Sequence, residues 1–184
     1  MATRTPLRLR YYGDPVLRKK AEPMTEFPPE LAEFVEGLYE CMYREAGIGL
    51  AAPQVGALRR VFVLDVAEEG GERVKRAFVN PVLVTKEGSD TAEEGCLSIP
   101  GIRADVKRPA RIVVEAMDEH GVPFRLAAEG LLARAIQHET DHLDGVLFVD
   151  RLSAIHRKLL EGKLKHFRPP DEDPLETPET SPSL

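Results

Sequence analysis

The sequence predicts antiparallel sheets combined with a few separate helices. Short runs rich in valine and isoleucine recur at residues 60–66, 77–85, 102–107, 112–117 and 122–127, bounded by turn signals such as Gly70-Gly71 and Gly121. Three other segments, 28–45, 130–143 and 153–167, read as helices. The strands follow one another directly. Repeated parallel strand–helix–strand units would need helices between them.

The first helix follows from Leu31, Val35, Leu38 and Met42 at helical spacing, with Glu30, Glu33, Glu36 and Glu40 between them. Proline suits its first turn, and Gly47 can end it. Cys41 falls on its inner face and reads as a small core residue. The segment from Gly47 to Gly56 is rich in small residues and lacks periodicity, as expected of a loop or extended strand whose backbone something approaches closely. In the second helix, Leu132, Ile136 and Leu143 should bury one flank, with Leu131, Arg134 and Ala135 on the other side or its edge. Ser153 caps the third, whose stripe of Ile155, Leu159 and Leu160 should face the core.

Residues 1–168 therefore read as a single domain. Residues 169–184 are dominated by proline, acids, serine and threonine, and are expected to form a flexible acidic tail. The net charge of −6 argues against a chain built as a whole to coat DNA or RNA. No apolar run suits a membrane helix or a secretory leader. Two cysteines, Cys41 and Cys96, are too few for a disulfide framework and fit a reducing cytoplasm. Amides are scarce: Asn80, Gln54 and Gln137 are the only ones. That bias fits a heat-adapted source and a GC-rich genome equally.

Chemistry enters at His138-Glu139-Thr140-Asp141-His142. Two histidines four apart on a helix share a face, so both imidazoles can reach one metal ion, with the glutamate beside it as general base. A catalytic site of this kind takes a third protein ligand and leaves a position for water. Downstream, His156, Glu161 and His166 lie on a helix rich in surface charge. Upstream, Cys96 in Glu94-Gly95-Cys96-Leu97-Ser98 is the better candidate, with a glycine before it and flanks that read as a loop.

Three segments, Gly47-Ile48-Gly49-Leu50-Ala51-Ala52-Pro53-Gln54, Glu94-Gly95-Cys96-Leu97-Ser98 and Gln137-His138-Glu139-Thr140-Asp141-His142, resemble in order and separation the three signature motifs of peptide deformylases. Gly13-Asp14-Pro15-Val16-Leu17-Arg18 is similar to the family's amino-terminal segment. The resemblance implies an α+β fold in which antiparallel sheets surround a central helix bearing HExxH, with an N-terminal and a C-terminal helix. It implies a cytoplasmic hydrolase that removes the formyl group from the N-terminal formylmethionine of new polypeptides. Cys96, His138 and His142 would hold one divalent metal ion. Ferrous iron is the family's usual ion, with nickel, cobalt or zinc as alternatives; the ligand set alone suits zinc as well.

By the same resemblance, Glu139 moves the proton while the Gln54 side chain and the Leu97 backbone N–H donate to the oxyanion. Ile48, Gly49 and Gly95 are candidates to pair with the substrate backbone as an added strand. Ile48, Leu131 and Ala135 are candidates for the methionine pocket, and Arg103 for a substrate carbonyl. Gln137 reads as structural, orienting a ligand or pinning its helix to a strand. Segment 151–168 carries Arg151, Arg157, Lys158, Lys163, Lys165 and Arg168 against Glu161. Relatives dock such a helix near the ribosomal exit tunnel, so weak, salt-sensitive ribosome contact is expected. A zinc peptidase built on HExxH would lack the first motif and the upstream cysteine. A catalytically dead relative would have lost Glu139, Gln54 or Cys96, and all three are present.

Overall fold

The computed structural model describes residues 5–67, 71 and 73–168. The tail predicted at 169–184 and the turn residue Gly70 lie outside the described residues. Among the described residues, three α-helices and seven strands follow in the order α1 (Pro29–Arg44), β1 (Gly49–Ala51), β2 (Val61–Ala67), β3 (Arg73–Glu87), β4 (Asp90–Cys96), β5 (Ile99–Arg108), β6 (Arg111–Met117), β7 (Pro123–Glu129), α2 (Gly130–Leu143) and α3 (Ala154–Lys165), with short 3-10 turns at Pro15–Arg18, Ala52–Val55 and Phe148–Arg151. Among the described residues these seven strands pair antiparallel, in a five-stranded sheet of order β1-β2-β3-β6-β7 and a two-stranded sheet of β4 and β5, and an isolated parallel bridge joins Glu22 to Arg59.

The alternation along β2 explains how the large sheet is covered. Phe62, Leu64 and Val66 join Leu132, Ile136 and Leu143 of α2 in one apolar cluster. Val61 and Val63 join Leu31, Val35, Leu38 and Met42 of α1 in another. The period of two thus sends successive side chains to opposite helices, and β2 is buried from Val61 to Val66. A third cluster gathers Leu17, Ile99, Val106, Phe148 and Val149, with Leu160, Leu164 and Phe167 packed against it. Helix α2 therefore turns its apolar flank to the large sheet and its polar flank to the β4–β5 hairpin.

Four expectations need correction. The residues before Cys96, expected to form a loop, are the end of strand β4, and only Leu97-Ser98 after it is a turn. The sequence of β4, DTAEEGC, lacks apolar alternation because it is held by backbone pairing to β5 and by the buried ion pair of Glu94 with Arg108. Helix α1 ends at Arg44, and the left-handed residue after it is Ala46, with φ of 55°. Gly47 serves close approach instead: a Cβ there would sit 2.6 Å from Leu97 Cδ1. Finally, Ile155 and Leu159 of α3 are 74% and 71% exposed. Their i, i+4 line points away from the core, and Leu160, Leu164 and Phe167 supply the inward line instead. Strand β3 begins four residues before the predicted run, in the polar stretch Arg73 to Arg76.

Candidate metal centre and active site

The polar flank of α2 meets the hairpin at three donor atoms. Cys96 Sγ lies 3.3 Å from His142 Nε2, which lies 3.2 Å from His138 Nε2. All three atoms fall within 4.8 Å of one another. Ligands placed 2.0–2.3 Å from one ion stand roughly 3.4 Å apart at tetrahedral angles, so the spacing fits a shared cation. The fold brings them together because the two histidines lie one turn apart on α2, while Cys96 ends β4 at a two-residue turn, Leu97-Ser98. His156, Glu161 and His166 are exposed on or beside α3 and take no part.

The electrostatics also call for positive charge there. Burial would lower His138, but interactions with Cys96 and Glu94 outweigh it and hold the imidazole up at about 10. Burial first, then the neighbouring charges on His138 and Arg108, pushes His142 well below its ordinary value. A divalent cation between the donors meets that demand while leaving both rings neutral, the form that ligates. Among the described residues, two buried polar atoms lack a hydrogen-bond partner: Glu139 Oε2 and His142 Nδ1.

Behind the donors lies a layer of buried ions. His138 Nδ1 is 3.0 Å from Glu94 Oε2, an arrangement that fixes the ring and leaves Nε2 to face the centre. Arg108, 4% exposed, grips both oxygens of Glu94 and reaches Asp141 Oδ2 at 2.9 Å. Arg134 adds bonds to Glu94, Asp90 and the Val106 carbonyl. Arg151 closes Asp141 from the other side at 2.6 Å. Burial would raise the Glu94 carboxyl, yet hydrogen bonds from His138 and Arg108 hold it down at about 2.

Glu139 packs against β1 at a glycine. A Cβ at Gly49 would lie 2.6 Å from Glu139 Oε1 and 2.7 Å from Leu64 Cδ2, so a larger residue there would displace those side chains. Burial pushes the Glu139 carboxyl up to about 7, against lowering by His138 and Arg108. That value suits a group that accepts and returns a proton near neutrality.

A cleft of about 560 Å³ opens over the centre. Of the predicted binding residues, Ile48, Gly49, Gly95, Arg103, Leu131 and Ala135 all line it. Ile48 and Leu131 stand half-exposed at its mouth, and Ala135 is buried. The exposed Arg103 side chain donates to Glu93 at 3.0 Å. Gln54 and Leu97 also line the cleft. Gln137 donates to the Pro109 and Ala133 carbonyls, tying α2 to the turn between β5 and β6.

Neither the ionic layer nor Ser98, whose Oγ accepts from Gln54 Nε2 at 3.1 Å, was singled out by sequence pattern. Glu94, Ser98 and Asp141 sat inside the quoted motifs, which was signal enough to ask what they do. Arg108 follows no pattern, and its role emerges only when β5 is laid beside α2.

Comparison with known proteins agrees with this geometry. The polypeptide deformylase family model matches residues 6–158. The chain is 43% identical to a peptide deformylase of Thermodesulfovibrio yellowstonii, over 86% of this chain and 96% of that protein. It is 50% identical to a peptide deformylase of Acidothermus cellulolyticus, over 82% and 81% respectively. The crystal structure of a peptide deformylase from Legionella pneumophila superposes with a TM-score of 0.80 at 40% identity, covering 88% of this chain and 94% of that one.

Proposed function

Because the chain belongs to the peptide deformylase family, enzymes that remove the N-formyl group from new polypeptides, we propose that Cys96, His138 and His142 hold its catalytic cation and that Glu139 carries the proton. The observation behind this reading is the convergence of three donor atoms beside a buried carboxylate, with Cys96, His138 and Glu139 lining one cleft. The chemistry such an ion would supply, when bound by these three residues, is a water of lowered pKa and a Lewis acid for the formyl carbonyl. Glu139 accepts the attacking water's proton and returns it to the leaving amine as the C–N bond breaks and formate departs. Gln54 Nε2–H and the Leu97 backbone N–H donate to the developing oxyanion, worth ~3–4 kcal/mol each in comparable sites.

The formylmethionyl peptide enters as a strand along β1, pairing with Ile48, Gly49 and Gly95, with its side chain against Ile48, Leu131 and Ala135. Arg103 holds a substrate carbonyl from the rim. The catalytic unit spans residues 1–168 and works in the cytoplasm on nascent chains. Among the described residues, no helix is long and apolar enough to cross a membrane.

Ferrous iron is the proposed ion, with nickel, cobalt or zinc able to occupy the same donors. Iron beside a thiolate invites oxidation, so activity should decay in air and persist with nickel in its place. The decisive assay is formate release from formyl-Met-Ala-Ser by anaerobically purified protein of known metal content. Cleavage of internal peptide bonds without formate release would favour a peptidase instead. Helix α3 is proposed to touch the ribosome weakly through Lys158, Lys163 and Lys165. Co-sedimentation should weaken with salt, fall when all three become glutamate, and survive removal of residues 171–184. Binding indifferent to the triple substitution would clear α3 of this role.

A further inference from the structure

Gln54 is buried to 1% exposure, and its side-chain amide is held at both ends. Oε1 accepts from the Ala51 backbone N–H at 2.9 Å. That N–H can only donate, so the amide oxygen must be the atom facing it, and Nε2 must face the other way. Nε2 then lies 3.1 Å from Ser98 Oγ and 3.6 Å from Cys96 Sγ. One of its two hydrogens goes to the serine, and the other is turned toward the Cys96 sulfur, a long and weak contact beside the cleft that Gln54 and Cys96 both line. Ser98 itself is fully buried at the turn between β4 and β5.

The backbones of the same two residues are tied by a third segment. Arg10 N donates to the Gln54 carbonyl at 2.7 Å, and Tyr12 N donates to the Ser98 carbonyl at 2.8 Å. The stretch Arg10 to Tyr12 thus straps the Gln54 turn to the Leu97-Ser98 turn, which carry the two oxyanion donors on separate elements.

We propose that Ser98 is a positioning residue for deformylation, its hydroxyl fixing the Gln54 amide so that the second N–H meets the attacked formyl oxygen. The inference rests on the oxyanion role given to Gln54 above. A glutamine side chain free to rotate would have to be ordered at each turnover; the serine orders it in advance.

The test is a double-mutant cycle on holoenzyme matched for metal content, measuring kcat and KM on formyl-Met-Ala-Ser. Gln54→Ala should lower kcat roughly 10²-fold. Ser98→Ala should lower kcat about fivefold to tenfold, as for one lost hydrogen bond, with KM changed by less than about twofold. In the Gln54→Ala background, Ser98→Ala should cost nothing further. Ser98→Cys, nearly isosteric with a weaker acceptor, should fall between wild type and Ser98→Ala, and serves if the alanine variant fails to fold. An equal cost of either Ser98 substitution with and without Gln54 overturns the proposal, as does wild-type kcat in both. Unchanged kcat in Gln54→Ala would instead sink the oxyanion reading, and this proposal with it.

Discussion

Helices α2 and α3 are similar on paper and opposite in the fold. Each stretch offers two histidines and an acid: His138, His142 and Glu139 on α2; His156, His166 and Glu161 on or beside α3. Eleven residues of α2 are buried and none of α3 is. Beside α2, Glu94, Arg108, Arg134, Asp141 and Arg151 answer one another in a chain of ion pairs. On α3 the counterparts are surface pairs, Lys165 with Glu161 and Arg157 with Asp150. Histidine spacing permits a metal centre. Burial against a strand that brings a third donor atom, within a polar layer that orients the rings, is what sets the α2 pair apart as the candidate centre.

Substitution should separate the helices at once. Cys96→Ala or His142→Ala should strip most of the cation from the purified protein and abolish formate release, while His156→Ala with His166→Ala changes neither. Metal analysis alongside the assay reads both; loss of metal in the α3 variant would reverse the assignment. Next in size is Glu139→Gln, expected to keep the metal and lower kcat roughly 10²–10⁴-fold, since the amide keeps the shape but cannot shuttle a proton. Near wild-type turnover would show that another group is the base.

The polar layers should differ just as clearly in stability. Arg108→Ala leaves Glu94 and Asp141 buried and short of a partner, and should cost about 3–5 kcal/mol in urea unfolding. Arg157→Ala removes an exposed partner of Asp150 and should change stability by less than about 0.5 kcal/mol. A cost for Arg157→Ala comparable to that for Arg108→Ala would mean that α3 is anchored by charge rather than by Leu160, Leu164 and Phe167.

The same contrast explains what could be read in advance. Apolar periodicity located α1, α2 and the five strands with hydrophobic alternation, because burial of one face leaves that pattern in the chain. Strand β4 left none. Its inward residue is the charge Glu94, matched by an arginine fourteen positions away. On α3 two apolar lines were available, and the sequence does not say which one the core at Ile99 and Phe148 would accept. The candidate donors Cys96, His138 and His142, which the fold brings together, were legible because their chemistry is rare and their motifs local. Arg108 and Ser98 were not, since each acts on a partner that only tertiary structure brings near.

Strand β2 has one more consequence. It is flanked by β1 and β3 within the sheet and covered by α1 and α2 on its faces. Its amide hydrogens should therefore be among the last to exchange with heavy water, requiring near-global unfolding, whereas those of α3 should exchange through local fraying. Protection should decline from β2 outward, and the three donor atoms straddle that gradient. His138 and His142 ride on a helix packed against the slow centre, and Cys96 on a two-stranded hairpin nearer the fast margin.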